Sequence, residues 1–510
     1  MDSEIAYSRV QKTADQLGEL ATDRHRFLDK RVLVTGEPEV LSSPNGRECL
    51  LNSIRLVVRI CPNIVVSLPS QSGDLARQAL DLAGLISFGK PVELLPEVKH
   101  FDDFDAILSV GTKAKPHLPW TAINSNGFVA RVTSGDVDIS SDCRRSNPIG
   151  ALGAASLGAG ELFKRLLRVK PERCEFLNGF TFCFRSYSST TSDYGPEIPP
   201  SISHDLLVVG AGAIGNGIVH LISRLPFRGR VSIVDRQQYG TENLGTCLLL
   251  SPNDLNKSKA IVLAANLVNV GIDAIGFPQS FQDYAKNLQE YPTVVLNALD
   301  NIDARHEVQR TLWPDIVVDG AIGDFACQVS RHPWATQNAC LMCLFQRPAG
   351  RSAEDLQSEA TGLSKNRLQN PDSLLTESDL EYAAIEKQAF LRSRLGRPVC
   401  SIVQESIVQM LSEEQQTRGF QPSVPFVACF SACMVLSETL AHLCDWESRL
   451  ETRFQFDFLM GPAHGQELPQ TRRENCICGR RKNVNKVRTS HGLQSYRVAT
   501  DHSHSDAHSD

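Results

Sequence analysis

The stretch 205–235, DLLVVGAGAIGNGIVHLISRLPFRGRVSIVD, decides the fold of this chain. Its apolar start predicts a short buried strand that runs into Gly210, Gly212 and Gly215, and a helix and a second strand ending at Asp235 follow. Glycines at this spacing let the backbone approach a phosphate, the start of the helix offers free N–H groups, and the acidic residue can accept hydrogen bonds from ribose hydroxyls. The unit therefore predicts a nucleotide site on a Rossmann-like α/β fold. The alternatives are a glycine-rich turn that binds nothing and an NAD site, which the motif alone favours.

Composition sets the wider limits. The chain has 510 residues, of which 42% are hydrophobic and 22% charged, so it has room for two to four domains at roughly 100–200 residues each. The net charge of −6 gives no reason to expect nucleic acid, and an odd set of 15 cysteines favours a reducing compartment. The N-terminus lacks a signal-like apolar stretch, and the apolar segment 424–444 carries polar residues, which favours a buried helix. We expect a cytoplasmic protein without a membrane partner.

Further motifs follow the glycine-rich unit in a fixed order: Glu242-Asn243-Leu244, the basic segment 256–260, Asp300-Asn301 with Arg305 after a third strand, a strand IVVDG at 316–320, and Cys340 and Cys343. This order resembles the ThiF/MoeB/HesA family, the adenylating proteins related to ubiquitin-activating enzymes. The resemblance covers roughly 200–345 and continues more loosely to about 480. Its most discriminating part is the Asp-Asn with the following arginine, for which a dehydrogenase has no use.

The resemblance implies activation of a carboxylate, usually the C-terminal glycine of a small ubiquitin-fold protein, by attack on the α-phosphate of ATP. Asp300 would hold Mg²⁺, Lys259 would contact the phosphates, and Asp235 would bind the ribose. The residues implied at the nucleotide are Gly210, Gly212, Gly215, Asp235, Asn243, Lys259, Asp300, Asn301 and Arg305. The alternatives are that Lys259 is a solvated helix lysine and that Arg305 forms a surface ion pair.

Two positions depart from the family pattern. Thr246 stands where the family has a phosphate-binding arginine, and Asn256 stands for a glycine. One lost cation at a triphosphate can cost about 3–4 kcal/mol in catalysis. Either another arginine substitutes, or adenylation is weak or absent.

Two cysteine pairs, Cys340 with Cys343 and Cys476 with Cys478, lie far apart in sequence. Such pairs can close one tetrahedral Zn²⁺ site that ties the end of the chain to the core. The alternatives are a chance grouping of free thiols and a redox pair in the first motif.

A polar segment, 346–395, separates the two pairs and is predicted to be a long crossover with some helix, too hydrophilic for a core. It leads to Cys400-Ser401-Ile402, which resembles the Cys-Thr-Ile-like element of family members that form a thioester. Arg397 could favour the thiolate, the nucleophilic form. Cys400 is therefore the candidate nucleophile; the alternative is a half-buried cysteine that opens a helix.

The first 200 residues repeat the same order of elements. KRVLVTGEPEV at 30–40 matches the first strand and turn, but Glu37 and Glu39 stand where a phosphate would lie, so this copy is predicted not to bind ATP. The helix at 148–167 matches that at 424–444, and each precedes an aromatic strand. The alternative is that any two α/β domains share part of this order.

Family members work as dimers or pseudo-dimers in which one half can lend an arginine to the other. Arg24 and Arg26 resemble that element and could complement Thr246; the alternative is a solvated basic turn. The predicted fold is α/β, with two Rossmann-like ThiF-type domains in one chain, the first degenerate. The predicted parts are an inactive domain at 1–185, a linker at 186–203, an adenylation domain at 204–345, a crossover and catalytic-cysteine region at 346–423, its return and zinc-binding end at 424–485, and a flexible tail at 486–510.

The leading hypothesis is an enzyme that adenylates a ubiquitin-like protein and then forms a thioester on Cys400. Its partners would be that protein, with a C-terminal glycine, and a conjugating enzyme; a homodimer is left open. One alternative is an adenylating enzyme for a peptide or sulfur carrier without a thioester. Another is a catalytically weak scaffold that binds a ubiquitin-like protein.

Overall fold

The structure, a computed structural model, describes residues 3–88, 91–172, 174–189, 193–288, 290–323, 325–334, 336–346, 353–370, 373–399, 401–403, 406, 424–460 and 465–493. The chain divides into two compact units. The first contains Met1–Phe345 and Pro422–Asp510, and the second contains Gln346–Gln421. Cys400, the predicted nucleophile, lies outside the described residues.

Two sheets form the frame of the first unit within the described residues. The strands of the first sheet are β1 Arg31–Gly36, β2 Asn63–Ser67, β3 Glu93–Leu95, β4 Ala106–Val110, β5 Trp120–Asn126, β6 Val129–Thr133 and β7 Phe180–Cys183. The strands of the second sheet are β8 Leu206–Val209, β9 Val231–Val234, β10 Ala274–Phe277, β11 Val294–Asn297, β12 Ile316–Gly323, β13 Ala326–Pro333, β14 Arg453–Asp457 and β15 Gln466–Glu467. We call the parts of this unit that carry β1–β7 and β8–β15 the N-terminal half and the C-terminal half.

The two sheets share one topology over seven strands, and the second sheet has an eighth strand, β15, at its edge. The first runs β3-β2-β1-β4-β5-β6-β7, and the second runs β10-β9-β8-β11-β12-β13-β14-β15. In each, five neighbouring strands are parallel, and the strands that follow are antiparallel. The strand-turn-helix-strand order predicted for both halves from sequence is therefore present in the structure.

Helices of the first unit pack on both sheets and on one another. They are α1 Ser3–Asp15, α2 Pro38–Leu41, α3 Pro44–Val57, α4 Gly73–Ile86, α5 Pro148–Leu166, α6 Ala213–Ile222, α7 Lys259–Val268, α8 Phe281–Lys286, α9 Ile302–Thr311 and α10 Leu341–Leu344. Those of the second unit are α11 Ala353–Thr361, α12 Lys365–Leu368, α13 Glu377–Glu381 and α14 Ile385–Arg392. The first unit ends with α15 Pro425–Leu443 and α16 Arg481–Ser490.

One hydrophobic core joins the two halves. Helix α5 packs on α15, with the ring centroids of Phe163 and Phe426 5.6 Å apart. The aromatic strands β7 and β14 also meet, with the ring centroids of Phe182 and Phe456 5.7 Å apart. Small residues allow the close approach of the helices: a methyl group on Gly217 of α6 would lie 2.6 Å from Ala432 of α15. The halves are thus packed as parts of one body.

Helix α15 meets the length and composition criterion for a membrane span, which is weak evidence because buried core helices meet it too. Its best window has a mean hydropathy of 1.6, and 89% of that window is buried inside the protein. The prediction of a buried helix in this segment is confirmed.

The second unit has a small apolar core of its own. Its buried members are Leu363, Leu368, Leu375, Leu380, Ala383, Leu391, Val399 and Ile402. The prediction that this segment is too hydrophilic for a core is wrong, because single leucines on short helices converge even where the mean composition is polar. The sequence prediction of some helix in it is confirmed.

Candidate nucleotide-binding site

The glycine-rich turn between β8 and α6 gives each glycine a separate task. Gly210 has φ +99°, and a methyl group there would lie 2.7 Å from the carbonyl oxygen of Ala298. A methyl group on Gly215 would lie 2.2 Å from the carbonyl oxygen of Gly210, so this glycine lets the helix pack on the strand end. At Gly212, by contrast, none of the described residues comes within 4 Å of a methyl group. The turn and the first N–H groups of α6 therefore border open space of the kind that a phosphate needs.

Asp235 is held against this turn at the carboxyl end of β9. Its two carboxylate oxygens accept hydrogen bonds from the backbone N–H groups of Ala211 and Gln237, each at 2.8 Å. The side chain is half-buried, so it lies where a ribose beside the turn could reach it. Its predicted contact with the ribose stays a prediction.

Lys259 is buried at the start of α7, with 6% of its surface exposed. Its ammonium group donates to the Oε1 atom of Gln237 at 2.8 Å and lies 5.8 Å from the ring centroid of Tyr239. The alternative of a solvated helix lysine is therefore wrong. Because the amide of Gln237 is neutral, the charge of the lysine is available to an anion.

Asp300 and Asn301 follow β11 at the same edge of the sheet, and both are exposed. Asn301 caps α9, since its Oδ1 atom accepts from the N–H of Ala304 at 2.8 Å, and its amide donates to Asp300 at 3.1 Å. The cap fixes the backbone that presents Asp300. An exposed carboxylate of this kind is a suitable ligand for Mg²⁺.

Arg305 forms a buried ion pair with Asp319 of β12, with Nε and Oδ1 3.0 Å apart. Its guanidinium also lies 4.4 Å from the ring centroid of Phe345, and the amide of Asn297 donates to Asp319. Burial raises the pKa of the Asp319 carboxyl, and Arg305 opposes that rise. The alternative of a surface ion pair is wrong. The pair ties α9 to the sheet, and a nucleotide contact by Arg305 stays a prediction.

The family arginine position, Thr246, lies in the loop that follows the 3₁₀ turn Thr241–Asn243. Asn243 is buried, and its Oδ1 atom accepts from the N–H of Gly240 at 3.0 Å. Thr246 is also buried, and its hydroxyl donates to the carbonyl oxygen of Asn243 at 3.3 Å. The hydroxyl of Thr246 therefore forms a hydrogen bond within the loop, and the side chain supplies no positive charge.

The N-terminal half packs directly on this loop. A methyl group on Gly245 would lie 3.2 Å from Val10 of α1, and the guanidinium of Arg59 donates to three carbonyl oxygens of the loop. Burial raises the pKa of the neighbouring Cys247 thiol, and the positive charges of Lys259, Arg59 and Arg9 oppose that rise. Three cations thus act on Cys247, the residue that follows Thr246.

Arg24 and Arg26, the arginines that the sequence suggested for this task, have other neighbours. The Nε of Arg24 donates to the ring of His25 at 3.0 Å, and Arg26 forms an exposed ion pair with Asp29 at 3.6 Å. Their contribution to the nucleotide site stays a prediction. Sequence reasoning missed Arg9 and Arg59, which lie in segments to which it gave no part in the nucleotide site.

In the N-terminal half, the corresponding turn follows β1, and the side chain of Glu37 from that turn occupies nearby backbone donors. The carboxylate of Glu37 accepts from the backbone N–H groups of Thr112 and Lys113, each at 3.1 Å. A methyl group on Gly111 would lie 2.5 Å from that carboxyl carbon. A negative charge therefore takes up backbone donors beside this turn, which supports the prediction that this half does not bind ATP.

The four cysteines predicted to bind a metal converge beside α10 and the end of the chain. Their sulfur atoms all lie within 4.8 Å of one another. Cys340 is 3.6 Å from Cys476, and Cys343 is 3.5 Å from Cys478. Sulfur atoms around one tetrahedral Zn²⁺ are about 3.8 Å apart, given a metal–sulfur bond of about 2.3 Å. The arrangement can hold a metal ion, and chance scattering of free thiols does not describe it.

Comparison with known proteins points the same way. The ThiF family profile matches residues 202–478. The chain is 25% identical over 294 residues to the bacterial E1-like protein BilD of Collimonas sp. (strain OK412), which covers 57% of this chain and 56% of that protein. It is 29% identical over 177 residues to the sulfur carrier protein adenylyltransferase of Thermus thermophilus, covering 32% of this chain and 65% of that protein.

Solved structures include that of E. coli MccB with ATP, at 13% identity and a TM-score of 0.34, covering 55% of this chain and 68% of that chain. The matches to the two curated relatives span less than two thirds of each relative's length. The family profile, however, covers more than half of the 510 residues of the chain. This chain belongs to the ThiF family.

Proposed function

We propose that the protein activates the C-terminal carboxylate of a small carrier protein or peptide by ATP-dependent adenylation. The observation that carries this proposal is the grouping of an open glycine turn, Asp235, Lys259 and Asp300 at one edge of the second sheet. These residue types provide donors for phosphates, an acceptor for ribose, a cation and a metal ligand. The similarity to a bacterial E1-like protein and to a sulfur carrier protein adenylyltransferase favours a protein or peptide substrate.

The reaction joins the substrate carboxylate to the α-phosphorus of ATP while the bond to pyrophosphate breaks. In our proposal the N–H groups around Gly212 donate to phosphate oxygens, and Asp235 orients the ribose. Lys259 exchanges its hydrogen bond to Gln237 for a phosphate oxygen, which is favourable because an anion replaces a neutral amide. Asp300 would hold Mg²⁺, which neutralises phosphate charge when it is bound.

The N-terminal half supports this site and does not duplicate it. We propose that the chain is a pseudo-dimer in which the half with Glu37 is silent. Arg9 and Arg59 of that half lie near Cys247 and would offset part of the charge that Thr246 lacks. The cysteine cluster would hold Zn²⁺ as a structural ion, since four thiolates in a closed site are typical of such ions.

The thioester on Cys400 is a separate proposal. It rests on the resemblance of Cys400-Ser401-Ile402 to the thioester-forming element. A ubiquitin-like substrate and a conjugating enzyme would accompany that step. Adenylation without a thioester is the better supported activity, because the residues proposed for it are described by the structure and Cys400 lies outside the described residues. A thiol-sensitive covalent adduct that is lost in Cys400→Ala while adenylation is retained would support the thioester.

The decisive experiment is ATP–pyrophosphate exchange with small β-grasp proteins and peptides that end in glycine. We expect substrate-dependent exchange by the wild-type protein and its loss in Asp300→Ala. Asp283→Ala is the matched control, because Asp283 is an exposed carboxylate on α8 that pairs with Lys286. Absence of exchange with every substrate, or equal loss in both variants, would contradict the proposal.

A further inference from the structure

Arg59 is the largest fully buried side chain of the described residues, and it crosses from one half to the other. It follows α3 in the N-terminal half. Its guanidinium donates to the carbonyl oxygens of Leu244, Leu248 and Leu250 at 2.6, 2.7 and 2.8 Å. A planar fork with fixed donor directions sets the curvature of a loop that closes around it, which a flexible ammonium group cannot do.

The buried charge of Arg59 is not expected to stabilise the fold. Burial lowers the pKa of its guanidinium to about 10, and the ionisable neighbours that oppose this shift are two thiols and two phenols. The group therefore stays protonated at neutral pH, with carbonyl dipoles as its hydrogen-bond acceptors. Burying such a cation is expensive, and an apolar side chain of similar size would usually be at least as stabilising there. Its placement points to a role in the site that the loop borders.

A continuous set of hydrogen bonds leads from this arginine to the glycine turn. Arg59 holds the carbonyl groups on both sides of Leu249, and the N–H of Leu249 donates to Oδ1 of Asn216 at 3.2 Å. The amide of Asn216 then donates to the carbonyl oxygen of Gly212 at 2.9 Å. Asn216 is fully buried, and its amide makes two further hydrogen bonds, one of them to the carbonyl oxygen of Ala211 in the same turn. The guanidinium is thus connected to the turn through Leu249 and Asn216.

We propose that Arg59 is a positioning residue for ATP, through which the N-terminal half sets the shape of the phosphate-binding turn in the C-terminal half. The inference rests on the proposed function, because it assumes that the turn binds ATP. It makes the silent half a requirement for nucleotide binding. It also gives a physical reason for the chain to retain that half.

The test compares Arg59→Lys with Arg55→Lys, using direct titration of the full chain with ATP and Mg²⁺. Arg55 lies one helical turn earlier on α3, and burial likewise lowers its pKa to about 10, but its charged neighbours are Arg224, Arg59 and Glu48. Arg59→Lys keeps the charge and loses the fork. We expect its affinity for ATP to fall about tenfold, because it loses charge-assisted bonds that hold the turn. Arg55→Lys should bind ATP as the wild type does, with a similar change in melting temperature.

A second variant, Asn216→Ala, interrupts the same connection without touching Arg59. Its ATP affinity should also fall about tenfold, and the double variant should lose less than the product of the two effects, since both act through one path. Wild-type affinity in Arg59→Lys, an equal loss in Arg55→Lys, or fully multiplicative effects would overturn the inference. If the wild-type chain itself fails to bind ATP, the proposed function fails first, so the two failures are distinguishable.

Discussion

Replacement of single glycines in the turn after β8 should separate folding from nucleotide binding. In Gly215→Ala the new methyl group would lie 2.2 Å from the carbonyl oxygen of Gly210, about 1 Å closer than a C···O contact of about 3.3 Å. Helix and strand must move apart, at a cost of about 1–3 kcal/mol in the free energy of unfolding.

Gly212→Ala should behave in the opposite way. Gly212 has φ −77° and its methyl group would meet none of the described residues, so the native backbone accepts alanine. A gain of about 0.4–1 kcal/mol from the less flexible unfolded chain is offset by the poorer helix cap that alanine makes. We expect the free energy of unfolding to stay within about 0.5 kcal/mol of wild type. ATP affinity should nevertheless fall at least about tenfold, because the methyl group occupies the space left for phosphate.

The assay is urea unfolding followed by circular dichroism, paired with titration of ATP and Mg²⁺ for each variant. The wild-type chain is the reference for both measurements. Equal destabilisation by the two substitutions would refute the steric argument. Unchanged ATP affinity in a folded Gly212→Ala variant would refute the assignment of this turn to phosphate binding.

Three other outcomes follow from buried groups. Asp319→Ala leaves the guanidinium of Arg305 buried without its partner, so the free energy of unfolding in urea should fall by about 3–5 kcal/mol. A decrease below about 1 kcal/mol would contradict the structural role of the pair. Metal analysis of the purified protein should find one Zn²⁺ per chain. Cys478→Ser, or removal of the metal by a chelator, should lower the melting temperature. An unchanged melting temperature after metal removal would exclude a structural ion. Burial holds the pKa of His220 well below its usual value, and its ring hydrogen-bonds to Asn52. As the pH falls, the unfolded chain therefore binds a proton at this histidine before the folded chain does. The free energy of unfolding should decrease below pH ~6.5 by up to about 1.4 kcal/mol per pH unit. His220→Gln should flatten that slope, and an unchanged slope would assign the effect to other groups.

Local patterns predicted the fold well where neighbouring residues determine the structure. The apolar run before Gly210 and the spacing to Asp235 depend only on the period of strands and helices, and the structure has the strand, helix and strand at those positions. The convergence of the four cysteines was also predictable, because their chemistry restricts the partners that they can have.

Other features depend on contacts between distant segments. The sequence presents Asp319 as one polar residue in an apolar strand, and only the fold brings it to Arg305. Arg59 is separated by 185 residues from Leu244, so no local period could connect them. Arg24 and Arg26 were suggested by their position before β1, whereas the closeness of Arg9 to the loop follows from the packing of α1 on it. The small core of the second unit was missed because average polarity conceals a few converging leucines.

The passage of Arg59 from one half into the loop of the other has a consequence for how the protein responds to dilution. When two separate chains share a site, the site disappears as the chains dissociate, and activity per molecule falls with concentration. Here both contributors belong to one chain, so their encounter is intramolecular and its effective concentration is set by the connecting segment. The specific activity should therefore be independent of protein concentration down to the nanomolar range, even if the chain never meets a second copy of itself.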